Sequence, residues 1–179
     1  MNYELEQGGD NQFLQLKISW DEYHQSIELL AEKISTSKWE FNQIICIARG
    51  GLRVGDILSR IFDRPLAIIS ASSYTDERKR GQLSIGNQIA MTTNKLGSRV
   101  LLVDDLVDSG VTLEQVNTLL RQVHPEIEAL KTAVIWYKSR SIHTPDYYTT
   151  YLADNPWIHQ PFEQYDNWQP ETSIAAQTN

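Results

Sequence analysis

The chain has a single cysteine, Cys46, so no internal disulfide framework can hold it, and a reducing compartment suits it. Basic charge is scarce too: 16 Lys and Arg face 23 Asp and Glu, for a formal charge of -7. Nucleic-acid binders carry a basic footprint, which disfavours DNA or RNA as the main partner. Long apolar runs are missing. The longest, around 44–48 and 100–103, fall far short of a membrane-spanning segment. The start, Met1-Asn2-Tyr3-Glu4-Leu5-Glu6, is acidic and has no apolar stretch of the secretory kind. His24, His124, His143 and His159 show no metal-ligand spacing with Cys46 or one another, which argues against zinc. The expectation is a soluble, cytoplasmic protein with neither nucleic acid nor membrane as partner.

Hydrophobic residues make up 41% of 179, enough for one core and too many for a disordered chain. Residues 1–13 are polar and Gly-containing and are expected to be mobile, as is the tail over 169–179. Ser19-Trp20-Asp21-Glu22 reads as a capping box, with Ile18 and Tyr23 placed as its hydrophobic staple. Trp20, Tyr23, Ile27, Leu30 and Ile34 then fall three and four apart, along one face of a helix.

Beyond it, strands and helices alternate. Residues 44–48 form a continuous β-branched run, as in a strand buried on both faces. Arg49-Gly50-Gly51 breaks it, and 52–62 reads as a helix with Val54, Ile57, Leu58 and Ile61 inward. Strands are expected at 66–71, 100–103 and 133–137, with a helix over 112–123. The pattern predicts one α/β domain, a mostly parallel twisted sheet flanked by helices, with its core over about 39–142. A small hood is expected from about 14–38 and the aromatic, Pro-punctuated stretch at 143–168.

Ligands of open α/β sheets bind outside the carboxyl ends of the strands. Here those ends carry Arg49-Gly50-Gly51, Ser72-Ser73-Tyr74, Asp104-Asp105 and Lys138. In Val103-Asp104-Asp105-Leu106-Val107-Asp108-Ser109-Gly110-Val111-Thr112, paired acids leave a buried strand and a Ser/Gly/Thr turn opens a helix. Backbone N–H groups, hydroxyls and a helix N-terminus suit a phosphate. Two acids beside a phosphate need sugar hydroxyls or a hard cation such as Mg²⁺ between them. A sugar phosphate with a metal follows from that local chemistry.

This segment resembles the signature of the type I phosphoribosyltransferases, and the resemblance runs over roughly 39–163. It points toward the bacterial xanthine–guanine enzymes through Ala48-Arg49-Gly50-Gly51-Leu52, Ser72-Ser73-Tyr74, the Asp104–Gly110 stretch, Lys138, and Trp157-Ile158-His159-Gln160-Pro161. The resemblance implies a purine-salvage transferase that moves 5-phosphoribosyl from phosphoribosyl pyrophosphate to N9 of xanthine, guanine or hypoxanthine. Asp104 and Asp105 would meet the ribose hydroxyls and Mg²⁺, directly or through water. Asp108, Ser109, Gly110, Val111 and Thr112 would cradle the 5-phosphate, with Asp108 also acting as general acid/base near N7. Arg49 and Gly50 would hold pyrophosphate, often through a cis peptide, and Arg80 would reach it from a closing loop. Lys138 would donate to the 6-oxo group, Trp157 would stack on the base, and the Ile158 carbonyl would read the 2-position. A homo-oligomer, dimer or tetramer, is the family habit. Val111 stands where close relatives have glycine, and Phe162-Glu163 where they have Trp-Asp, which leaves any metal or pyrophosphate role of Glu163 open.

Plainer readings exist: a solvated acid pair, a surface Lys138, a core Trp157, an ordinary basic loop at Arg78-Lys79-Arg80. A receiver domain also uses paired acids and a lysine, but its pair sits at the first strand, whereas this one lies past mid-chain. The alternatives retained are a non-catalytic phosphoribosyl pyrophosphate sensor and a transferase for another base. The sensor lacks support from any basic helix-turn-helix segment, and a donor at Lys138 suits adenine's 6-amino group poorly.

Overall fold

Two apolar periods alternate along the chain, and each yields the element it dictates. The computed structural model describes residues 2–8, 11–73, 83–86 and 88–169. In chain order the elements are β1 (Asn2–Gly8), β2 (Asn11–Lys17), α1 (Trp20–Thr36), β3 (Gln43–Ala48), α2 (Gly51–Phe62), β4 (Leu66–Ser73), β5 (Leu83–Ile85) and β6 (Ala90–Met91). They continue with β7 (Arg99–Val103), β8 (Leu106–Val107), α3 (Val111–Val123), β9 (Ala129–Lys138), β10 (Tyr147–Leu152) and β11 (Trp157–His159). Two compact units emerge: one spans Ser26–Asn155, and the other joins the described residues up to Gln25 with those from Pro156.

The larger unit holds a sheet in the order β10-β9-β7-β3-β4-β5, with β6 on β4 and β8 on β9. β10, β9, β7, β3 and β4 run parallel, while β5 and β6 pair with β4 antiparallel. Strands in the middle of such a sheet are covered on both faces, which is why β3 and β7 are apolar throughout their centres. Ile45, Ile47 and Leu102 pack with Leu113, Val116 and Leu120 of α3 on one face. On the other, Gly55 of α2 lies against Cys46, where an added Cβ would stand 2.6 Å from the Cys46 Cβ.

That close approach corrects one expectation. α2 buries Val54, Gly55 and Leu58. Ile61, expected inward, is instead half exposed, because the helix seats on its glycine face. Val123 at the end of α3 is likewise half exposed. Residues 26–38 and 143–155, expected in the hood, lie in the larger unit, the latter because β10 extends the parallel sheet beside β9.

The smaller unit carries the three-stranded sheet β1-β2-β11. Within the stretch expected as a mobile lead-in, 1–13, the described residues belong to β1 and β2, which pair antiparallel with Leu5 opposite Leu14 and Tyr3 opposite Leu16. The physical reason for the pairing is a period of two, in Tyr3-Glu4-Leu5-Glu6 and again in Leu14-Gln15-Leu16-Lys17. β11 adds in parallel, pairing Ile158 with Leu16. At the start of α1, the Ser19 N–H donates to the Glu22 carboxylate (3.0 Å) and the Glu22 N–H to the Ser19 hydroxyl (3.2 Å). This is the reciprocal cap the sequence spells.

Candidate active site

β3 and β7 are neighbours, yet the chain leaves β3 toward β4 and continues from β7 toward β9 on the opposite side. Strand order reverses between them, and at such a reversal the crevice outside the carboxyl ends is the natural ligand site. The two strand ends bordering it carry Arg49-Gly50-Gly51 and Asp104-Asp105.

The glycines bring these ends together. A Cβ on Gly50 would lie 2.7 Å from the Asp105 Cγ, and one on Gly51 would lie 2.5 Å from the Val103 carbonyl oxygen. Only bare backbone fits there. The Ala48–Arg49 peptide, leading into the Arg49-Gly50-Gly51 turn, is cis. Arg49 itself is exposed. The acid pair is tied to β9: the Asp104 N–H donates to the Ala133 carbonyl (3.1 Å), and the Asp105 carbonyl accepts from Ile135 (3.0 Å) and Trp136 (3.1 Å). The Asp104 carboxylate accepts from the backbone of Asp105 (2.9 Å) and from that of Gly51. Burial first, and then the charge of Asp105, hold the Asp104 carboxyl well above its usual range. Such a pair gains from a cation or a hydroxyl donor placed against it.

After β8 the chain turns through Asp108, Ser109 and Gly110 into α3. Gly110 caps the helix at φ 81 with no side-chain cap. The first turn of an uncapped helix leaves backbone N–H donors for an anion. A cleft of about 110 Å³ adjoins it, lined among others by Asp104, Asp108, Ser109, Gly110 and Thr112. Sites for whole ligands run to roughly 300–1,000 Å³, so this cleft takes one group of a substrate rather than a nucleotide. Val111 is partly exposed at the head of α3.

Lys138, at the end of β9, is buried, and its Nζ lies 3.5 Å from Asp108 Oδ2. Burial lowers the proton affinity of its ammonium, and Asp108 offsets part of that. Burial alone would raise the Asp108 carboxyl. Arg140 and Lys138 reverse the sign and hold it below the usual carboxylate range. Arg140 meets Asp108 as a fork, Nε on one oxygen and Nη2 on the other.

Asp104, Asp105, Asp108, Ser109, Gly110, Thr112, Gly50 and Lys138 are therefore gathered around the β3/β7/β9 ends of the larger unit. Trp157 and Ile158 stand on β11 in the smaller unit, Trp157 60% exposed and Ile158 buried. Arg80 lies outside the described residues, as do Arg78 and Lys79. Phe162 packs near Trp20 and Tyr23, and the Glu163 carboxylate stands 3.5 Å from His159 Nδ1. Arg140 was missed in the sequence, together with the contact of His143 Nδ1 with Glu114 and the Ile142 N–H bond to the Ser109 carbonyl (2.9 Å). These partners lie about thirty residues apart and share no periodic pattern that could announce them.

Against this geometry, comparison with known families matches residues 19–167 to the phosphoribosyl transferase domain. The chain belongs to the phosphoribosyltransferase family. The match spans the larger unit and both flanks, wider than the stretch at 39–163 that carried the resemblance. This phosphoribosyltransferase is 30% identical over 149 residues to the xanthine-guanine phosphoribosyltransferase of Idiomarina loihiensis, covering 83% of this chain and 86% of that one. Among solved structures it is similar to a purine phosphoribosyltransferase from Pyrococcus horikoshii, with 30% identity, a TM-score of 0.67, and coverage of 83% and 93% of the two chains. It shares its fold with a Helicobacter pylori xanthine-guanine-hypoxanthine phosphoribosyltransferase, at 23% identity and a TM-score of 0.71 over 90% and 99%.

Proposed function

We propose that the enzyme transfers the 5-phosphoribosyl group of phosphoribosyl pyrophosphate to N9 of a 6-oxopurine (xanthine, guanine or hypoxanthine), releasing pyrophosphate in purine salvage. The observation that carries this reading is the Lys138–Asp108 pair, a buried ammonium donor 3.5 Å from a carboxylate acceptor. The O6/N7–H edge of a 6-oxopurine presents the complementary acceptor and donor side by side. Adenine offers a 6-amino donor to Lys138 instead, so that donor faces donor at the 6-position. The names of the Idiomarina and Pyrococcus relatives support a purine acceptor in general terms.

In the reaction, N9 forms a bond to the anomeric carbon as that carbon's bond to pyrophosphate breaks. The leaving group takes the bonding electrons, and the N7 proton passes to the Asp108 carboxylate. Ser109, Gly110, Val111 and Thr112 bind the 5-phosphate through hydroxyls and backbone at the head of α3. Arg49, Gly50 and Arg80 hold pyrophosphate, Trp157 stacks on the base, and the Ile158 carbonyl meets the 2-position. Asp104 and Asp105 orient the ribose hydroxyls.

The acid pair also suits Mg²⁺. Two carboxylates stand side by side at the strand end, and among the described residues no group of three or more His, Cys, Asp or Glu could hold a metal alone. An ion there needs substrate oxygens and water to complete its shell, as Mg²⁺ commonly does. When bound, it would neutralise charge developing on pyrophosphate. A cytoplasmic setting accords with the single, buried Cys46, and a homo-oligomer accords with the family habit.

The test is nucleotide formation from phosphoribosyl pyrophosphate and Mg²⁺ with xanthine, guanine, hypoxanthine, adenine and uracil in parallel. Turnover confined to 6-oxopurines supports the assignment and ranks the three. Turnover of adenine or uracil alone, or saturable phosphoribosyl pyrophosphate binding without turnover, refutes it.

A further inference from the structure

Past Lys138 the chain reads Ser139-Arg140-Ser141-Ile142-His143, and this loop is fastened at several points. The Ser139 N–H donates to the Leu152 carbonyl (3.0 Å), and the Arg140 N–H to Asn155 Oδ1 (3.1 Å). Asn155 is fixed in turn through Nδ2 to the Ser139 hydroxyl (2.8 Å). Further on, the Ile142 N–H reaches the Ser109 carbonyl across the phosphate turn (2.9 Å). The backbone of Arg140 is thus anchored, and its guanidinium forks onto both oxygens of Asp108.

Stability does not explain the fork. The Arg140 side chain is 55% exposed, and ion pairs that open to solvent contribute little. What an arginine fork does supply is direction, because its planar donors fix the plane of a carboxylate where a lysine supplies only a point charge. A carboxylate offers about four lone-pair sites. The fork takes two, and acceptor capacity remains for a substrate N–H. The charged groups facing Asp108 are Lys138 from β9 and Arg140 from the loop after it, with Asp104 lining the same cleft. Glu114 of α3 and His143 are in contact with each other.

We propose that Arg140 is a positioning residue for the transfer: it holds the Asp108 carboxylate ionised and in one orientation beside Lys138, so that the base meets a preset proton acceptor. This rests on the 6-oxopurine reading above. The lowered proton affinity of Asp108 agrees with it.

The experiment compares the full-length wild type with Arg140→Met, which keeps the length without the charge, and Arg140→Lys, which keeps the charge without the fork. Carbon-detected NMR follows the Asp108 carboxyl titration in the free protein, and initial rates give the pH profile of kcat/KM for the base. In Arg140→Met the carboxyl titration and the acid limb should both move up by about one pH unit. Its kcat/KM for the base should fall roughly tenfold, with the KM for phosphoribosyl pyrophosphate held within about threefold. Arg140→Lys should restore the acid limb but not the rate. An unmoved titration and limb in Arg140→Met, or a faster variant, overturns the proposal. A titration that moves up in Arg140→Met while the wild type turns over no base sinks the assigned reaction and upholds the hold of Arg140 on Asp108.

Discussion

Replacing Gly110 by alanine adds one methyl group where the Asp108 turn meets α3, and its effect can be worked out from two costs. The first is conformational: Gly110 sits at φ 81, where an L side chain meets the following carbonyl at a cost of roughly 1–2 kcal/mol. The second is steric. The new Cβ would lie 2.8 Å from the His143 backbone nitrogen and press on the Ser141 hydroxyl. Carbon contacts settle near 3.5–4.0 Å, so the loop over 141–143 must give way. That loop is held by the Ile142 bond to Ser109 and by the contact of His143 with Glu114. Overpacking against such a fixed neighbour costs about 1–3 kcal/mol. Together the penalty is about 2–5 kcal/mol, out of a typical total of about 5–15. For a chain of this length each kcal/mol moves Tm by roughly 2–4 °C, so a fall of about 4–20 °C is expected. Because relief can come only by shifting the Ser109–Gly110 turn or the Arg140 loop, the KM for phosphoribosyl pyrophosphate should rise as well on the proposed assignment. Differential scanning calorimetry and initial rates read the two effects, with Val111→Ala as the neighbouring control, expected within about 0.5 kcal/mol of wild type. A Gly110→Ala protein with wild-type Tm and wild-type KM would refute the reasoning about this turn.

Three further outcomes are expected. Lys138→Met removes the donor for the 6-oxo group but leaves Asp108 paired with Arg140; the KM for the base should rise about 10- to 150-fold, as for a lost hydrogen bond to a charged group, and an unchanged base KM contradicts the pairing. Asp104, held well above its ordinary value by burial and by Asp105, binds its proton more tightly in the folded state than in the unfolded one. Its stabilisation is therefore complete below the unfolded pKa of about 4 and is lost as pH rises through the folded value. Asp104→Asn should accordingly raise the Tm of the metal-free protein more at pH 7 than at pH 4, and an equal effect at both rules that coupling out. Cys46 is buried in β3 with its thiol pushed up to about 12, mainly by burial, so it should resist a thiol reagent until the protein unfolds; rapid labelling of the native enzyme speaks against the packing of Gly55 on Cys46.

What the sequence discloses follows from how local each signal is. The cores of β3 and β7 are legible because strands buried on both faces must be apolar at every position. The start of α1 is legible because its cap is completed within four residues. The acid pair and the Ser/Gly/Thr turn are legible because the chemistry is contiguous. β10 is less so, since its Tyr-Tyr-Thr-Thr-Tyr-Leu sequence lies at the sheet edge and mixes aromatic with polar residues. β1 and β2 alternate in a strand-like way, but their polar positions are Asn, Glu, Gln and Lys, and Asn, Glu and Lys lower the apparent strand tendency. Ile61 faces solvent because the approach of Gly55 to Cys46, not the apolar count, sets the rotation of α2. The Arg140 fork depends on a loop folding back over the Asp108–Gly110 turn, and no local pattern encodes that.

The most direct test compares initial rates of wild type and Asp108→Asn with a 6-oxopurine at neutral pH, alongside phosphoribosyl pyrophosphate affinity. An asparagine keeps the shape of the side chain but cannot take the N7 proton, so kcat should drop about 10²- to 10⁴-fold while that affinity stays within about threefold. Equal rates in the two proteins would contradict the account of Asp108 as the proton acceptor.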